Sequence, residues 1–188
     1  VVATPGAEPT TPAGYRLAVL LDARTATART DLTSGQEALR RWLAAAALVR
    51  PYEAGGQVLV VGDGAPRVTQ ALVRWDPATF AAEDLAERRE LGFPPTIRMA
   101  ELIGDRPAVE DALTRLDSPY TRILGPVVLK AGATDGLLPA VDTVRALIAV
   151  PLEKGIELAG RLTELAAARS ARRDRGSLRI QVDSRDLT

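Results

Sequence analysis

Between Glu87 and Met99 the chain reads Glu-Arg-Arg-Glu-Leu-Gly-Phe-Pro-Pro-Thr-Ile-Arg-Met, and no regular element can run through it. Up to Leu91 the pattern is charged and helical. Gly92 supplies the positive φ that ends a helix, and Pro94-Pro95 removes backbone donors and excludes Phe93 from the α region. From Thr96 the pattern is strand-like. The spacing therefore predicts two parts, residues 1–91 and 96–188, joined by 92–95. Phe93, one of two phenylalanines, is expected to pack at the junction. As local physics the segment is also a complete helix stop.

With 188 residues the chain can bury two small cores. Its 24 acidic and 24 basic residues cancel, so any hold on nucleic acid must come from a local patch. It contains no cysteine and no histidine. This excludes disulfides, thiolate or imidazole metal sites and histidine-dependent triads, leaving carboxylate or magnesium chemistry. No basic n-region opens the sequence and no apolar run reaches spanning length, which implies a cytoplasmic protein.

Val1 to Ala3 reads as the end of a buried strand, followed by a Pro/Gly-rich loop to Gly14. Arg16 to Leu21 and Gln57 to Val61 are short apolar runs of the kind expected for parallel strands covered on both faces. Between them, Ser34 and Glu37 form a capping-box pattern, and Leu39, Trp42, Leu43 and Ala46 recur at helical spacing to about Val49. Pro66 and Asp76-Pro77 each suit a helix start. Strand, helix, strand, helix is an α/β order. Beyond Thr96, Ile97, Met99 and Ile103 alternate, Val109, Ala112, Leu113 and Leu116 share a helical face, and Arg122 to Val128 and Thr143 to Pro151 are strand-like. A long helix follows from about Glu153 to Ala171, with Ile156, Ala159, Leu162, Leu165 and Ala166 inward. Leu178, Ile180 and Val182 close the domain. The sum is βαββαβ, an antiparallel sheet with two helices on one face.

Several segments together resemble the PriA family of bacterial replication-restart helicases. Glu87 to Pro95 is similar to its E-x-R-x-x-L-G-Y-P-P-F junction, departing at Thr96. Leu17 to Ala23 stands where the family has V-x-V-L-D-A-D, and Asp31 with Glu37 where it has D-F-R-x-x-E-R. Gln57 to Val61 stands where it has G-E-V-x-I-Q-T, Ile123 to Pro126 resembles V-L-G-P, and Gln181 to Leu187 resembles D-V-D-P-L. The resemblance implies a partial RecA-like helicase lobe (α/β) followed by a small α+β C-terminal domain. It also implies that the chain corresponds to a C-terminal portion of a longer protein. The implied family function is recognition of branched or forked DNA and loading of the replicative helicase. Its partners would be primosome and single-stranded-DNA-binding proteins, with ATP and zinc held by upstream regions.

The departures bear on activity. The family's arginine motif Q-V-A-G-R-A-G-R is here Ala44-Ala45-Ala46-Ala47-Leu48-Val49-Arg50-Pro51, so Arg50 is the candidate vestige of a γ-phosphate finger. Of T-Q-M-x-x-K-G, which the family uses to couple nucleotide to DNA, Thr4 alone survives. The resemblance therefore implies lost ATPase function, and no catalytic or cofactor set beyond these two residues is expected in the chain. A working 3′–5′ helicase with its phosphate loop upstream, or a protein-interaction module without DNA, are the alternatives. Before Thr143 the family's basic, aromatic R-x-R-Y-R-x-Q is replaced by Gly136 to Val144. What remains for nucleic acid is Arg169, Arg172, Arg173 and Arg175, with Arg179 beyond, a run that suits either phosphates or a solvated helix C-terminus. Asp22, Asp63, Asp183 and Asp186 lie at strand ends but form no metal-ligand pattern, and Gly62 to Pro66 carries only a weak anion-site pattern.

Overall fold

The computed structural model describes residues 1–28, 31–116, 118–129 and 143–184. They divide into two compact units, Val1–Ala86 and Glu87–Ser184.

The first unit contains β1 (Leu17–Leu20), α1 (Ala23–Thr27), α2 (Ser34–Ala46), β2 (Gln57–Val60), α3 (Pro66–Arg74) and the greater part of α4 (Pro77–Leu91). Helical crossovers make neighbouring strands parallel, and β1 lies beside β2 from Leu17↔Gln57 to Leu20↔Val60. One face of this pair meets the helices, with Leu20 and Val60 against a core that includes Ala23, Leu39, Trp42, Val68, Leu72 and Phe80. The other face is bare. Leu17, Val19 and Leu59 are 51, 45 and 53 % exposed. The expectation of strands covered on both sides is thus corrected, because the helices pack on one side of this two-stranded sheet and, among the described residues, nothing covers the second. Val1 and Val2 are exposed and lie outside the strands, so the expected strand end is not formed there.

Local starts and stops follow the residues. Asp76 Oδ1 accepts a bond from the Thr79 N–H at 2.9 Å at the head of α4, and that cap holds its carboxyl below the usual range. The capping box on α2 does not form. Thr33 stands at the cap position, but its hydroxyl donates back to Asp31 Oδ1 at 3.1 Å and makes no capping bond to the helix, and the Glu37 carboxylate is taken by Arg40 and Arg41. Gly56 is required where it sits, since a Cβ there would lie 1.8 Å from the Arg50 carbonyl oxygen.

The second unit opens with the end of α4. Gly92 has φ 65°, and Phe93 N–H returns to the Arg88 carbonyl at 2.8 Å. The buried Arg88 guanidinium donates to the Pro94 carbonyl at 3.0 Å. β3 (Ile97–Asp105), α5 (Arg106–Leu116), β4 (Arg122–Val128), β5 (Thr143–Pro151), α6 (Gly155–Arg172) and β6 (Leu178–Val182) follow. The βαββαβ order forms one antiparallel sheet, β4-β5-β3-β6, in which Ile97–Asp105 and Leu178–Val182 are neighbours. Alternation sends Ala100, Leu102, Val144, Ala146, Ile148 and Val150 to one face. There they meet Val109, Ala112, Leu113 and Leu116 of α5 and Leu158, Leu162 and Leu165 of α6. Ile156, expected inward, is 89 % exposed. The buried stripe of α6 is 158-162-165, and Ile156 lies outside it on the first turn.

Candidate nucleic-acid interface

Arg169 and Arg172 stand on the last turns of α6, Arg173 follows as its cap, and Arg175 and Arg179 lie on the way into and within β6. The fold thus gathers the whole arginine run at one end of the helix. Its members are not equivalent. Arg173 has φ 54°, a left-handed cap, and its N–H together with that of Asp174 closes the helix on the carbonyls of Ser170 and Arg169. Arg169 Nη2 donates to the carbonyls of Gly176 at 3.1 Å and Arg175 at 3.4 Å. Arg172 grips Asp174 through Nε and Nη2, the latter at 2.9 Å, and holds the Asp174 carboxyl below its usual range. Arg179 Nη2 donates to Gln181. Arg173 and Arg175 are exposed, and among the described residues no such contact engages their guanidiniums. Of the four residues singled out from sequence, two therefore secure the helix end and two remain presented to solvent.

The other sequence candidates stand apart from this cluster. Arg50 Nε donates to the carbonyls of Ala13 at 2.6 Å and Gly14 at 3.2 Å, tying the N-terminal loop to the segment before β2. Thr4 is exposed in that loop, and its carbonyl accepts from Ala7 N–H. Asp22 takes φ 55° ahead of α1. Asp183 pairs with Arg98 at 2.6 Å and also accepts from Met99 N–H, closing the end of β6 on β3. Among the described residues no three acidic side chains converge as a metal site. Asp186 and Gly136 to Asp142 lie outside the described residues. No helix among those described is long and apolar enough to cross a membrane.

Two buried charges escaped the sequence reading. Glu101, 6 % exposed, sits within β3 and pairs with Arg145 of β5 at 2.5 Å across the sheet. A carboxylate inside the run Ile97 to Ile103 was the available signal, since an unpaired charge there would be too costly to bury. Arg88 was visible only as part of a charged helix end.

A mixed strand-and-helix unit joined to a four-stranded βαββαβ domain with a basic helix terminus is the class that fold and site define. The family model described as the primosomal protein N C-terminal domain matches residues 89–185, and the chain belongs to that PriA family. It is 42 % identical over 193 residues to the "Probable replication restart protein PriA" of Mycobacterium tuberculosis (strain CDC 1551 / Oshkosh), covering 97 % of this chain and 30 % of that protein. The protein of the same name from Mycobacterium bovis is matched to the same extent. That of Mycobacterium leprae is 41 % identical over 186 residues, covering 97 % of this chain and 29 % of the relative. The chain thus spans about 30 % of the length of the curated relatives it matches.

Proposed function

We propose that this chain forms the C-terminal portion of a replication-restart protein that recognises branched DNA and helps load the replicative helicase, acting as a scaffold and not as an ATPase. The carrying observation is the likeness along 97 % of its length to proteins named for replication restart. On this reading the protein works in the cytoplasm beside primosome and single-stranded-DNA-binding proteins.

Residues 1–91 are read as part of a RecA-like lobe. The parallel pair β1-β2 and its bare apolar face support this, because Leu17, Val19 and Leu59 suit strands buried in a larger α/β sheet and not strands facing water. ATP and zinc, which the family implies, do not fit the residues present. Arg50 spends its Nε on two loop carbonyls, the loop around Thr4 has no lysine, and the chain has neither cysteine nor histidine for zinc. No step is routed through either group.

DNA contact is assigned to Arg173 and Arg175, with Arg169 and Arg172 holding the helix end that displays them. No aromatic residue stands within this run, so the contacts are to phosphate and carry no base sequence. Fluorescence anisotropy with a forked oligonucleotide, taken over a salt series, tests the reading. Each of Arg173→Ala and Arg175→Ala should flatten the slope of log affinity against log salt by about one unit. Unchanged slopes would move DNA binding off this domain, and DNA-stimulated ATP turnover that falls with Arg50→Ala would restore the helicase reading.

A further inference from the structure

The two outer edges of the four-stranded sheet are finished differently. β4 carries Gly125-Pro126, and its ladder to β5 shifts register between Leu124 and Val127. A proline without an N–H and a bulge blunt an edge against further pairing. β6, Leu-Arg-Ile-Gln-Val, has neither proline nor glycine and runs in unbroken register from Gly104↔Leu178 to Ala100↔Val182. Its ladder to β3 is bracketed by Asp105 N–H to the Ser177 carbonyl and Asp183 N–H to the Met99 carbonyl. Antiparallel alternation then turns the N–H and C=O groups of Leu178, Ile180 and Val182 away from β3, toward the open side.

Along that open side, between β6 and the last turns of α6, runs a groove of about 230 Å³. Ala166, Ser170, Leu178 and Ile180 supply its small and apolar lining, and Arg169 and Arg173 its positive charge. Among the described residues its one carboxylate, Asp174, is already held by Arg172 at 2.9 Å. The volume falls below the roughly 300–1,000 Å³ of small-molecule pockets, and the shape suits a chain lying alongside a strand.

We propose that this groove receives an extended acidic segment of a partner protein as an added strand on β6. The segment's backbone pairs with Leu178, Ile180 and Val182, and alternate side chains enter the groove, a carboxylate among them meeting Arg173. Charge selects this occupant. A second copy adding its own β6 would set Arg169 and Arg173 against the same residues of its neighbour, which repel. A nucleic acid has no use for a strand edge and finds no aromatic residue in the groove on which to stack. The inference goes beyond the DNA reading and does not depend on it; both use Arg173, so segment and DNA phosphate exclude one another at that guanidinium, while the backbone pairing to β6 belongs to the segment alone.

The test uses the full chain and a fluorescein-labelled peptide, Thr-Val-Thr-Asp-Thr-Val-Thr, with two analogues N-methylated at alternate residues. Saturable binding by anisotropy is expected, weakened by salt, and Arg173→Glu should lower affinity about tenfold without moving the melting temperature. One analogue, methylated on the residues that face β6, should lose about thirtyfold or more through its missing backbone bonds, and the other should bind like the parent. Because the methyl groups are on the peptide, folding of the protein is not in question. The proposal is overturned if the parent peptide does not bind at millimolar concentration, if both analogues bind equally, or if Arg173→Glu changes nothing. A concentration-dependent dimer by sedimentation, dissociated by the peptide, would overturn it in favour of a second copy. Forked DNA that displaces the peptide, together with equal binding of the two analogues, would overturn it in favour of phosphate.

Discussion

The two units use the same ingredients, strands beside helices, and close them differently. In Glu87–Ser184 four strands present one continuous apolar face to two helices, and Leu102, Val144 and Ile148 reach zero exposure. In Val1–Ala86 two strands are paired among the described residues, the helices cover one side, and Leu17, Val19 and Leu59 stay about half exposed. A two-stranded sheet does not supply independent stability. What holds the first unit is the helical cluster around Trp42 and Phe80, with the strands laid upon it. Charge divides in the same way. The second unit buries Glu101 with Arg145, whereas the Glu37, Arg40 and Arg41 cluster of the first lies on the surface.

The largest expected effect tests whether the helical cluster carries the first unit. Trp42, 5 % exposed, should cost about 3–5 kcal/mol when replaced by Ala, through lost contacts and the cavity left behind. Leu59→Ser, on the bare face, should cost less than about 0.5 kcal/mol, as surface changes do. Urea denaturation followed by circular dichroism measures both. Equal losses would mean that the β1-β2 face is packed as tightly as the helical side, and the contrast between the units would fail.

A second, somewhat smaller effect concerns the buried pair. Glu101→Ala removes the carboxylate that Arg145 meets across the sheet and should destabilise the second unit by about 3 kcal/mol, near the lower end for a broken buried pair. Glu101→Met combined with Arg145→Leu should recover most of that loss, since an apolar pair avoids the desolvation penalty. If the single and double variants melt alike, the pair is solvated and the closure of this sheet is less complete than its burial indicates.

Strand alternation located β6, whose Leu178 and Ile180 pack on the core, but it chose the wrong face of β3: Ile97, Met99 and Ile103 lie opposite Ala100 and Leu102, which meet the helices, and burial of Met99 and Glu101 on that second face hides the period of two. The junction was legible too, since Gly92 and Pro94-Pro95 act through local sterics. The first unit misled where burial depends on what lies beside a strand. Apolar runs such as Leu17–Leu20 look the same in a covered and in an open sheet. Ile156 and Ala166 were misplaced because a helix face shifted by one residue still looks amphipathic. For the site, sequence located the arginine run but could not divide it. That Arg172 turns back onto Asp174 and Arg169 onto the Gly176 carbonyl depends on the left-handed cap at Arg173, which no residue type at that position announces.

The smallest effect separates surface charge in the first unit from buried charge in the second. Glu37 receives Arg40 Nη2 at 2.7 Å and Arg41 Nε at 3.1 Å in the first turns of α2. Chiefly through the hydrogen bond from Arg40, its carboxyl is held down at about 2, against an ordinary value of 4.5. A carboxyl whose folded value lies below its unfolded one stabilises the fold above the ordinary range and loses that contribution as pH falls through the folded value. Glu37 should therefore favour the native state at neutral pH and cease to do so between about pH 4.5 and pH 2. The group lies on the surface, so screening keeps the effect on melting small, and added salt should raise its pKa. Carbon-detected NMR titration of the Glu37 carboxyl reads this directly. Arg40→Ala should bring the midpoint up toward 4.5 with little change in melting temperature at neutral pH. A midpoint that stays near 2 would assign the depression to Arg41 and the helix N-terminus instead. A large fall in melting temperature would show that this surface cluster supports the first unit much as the buried pair supports the second.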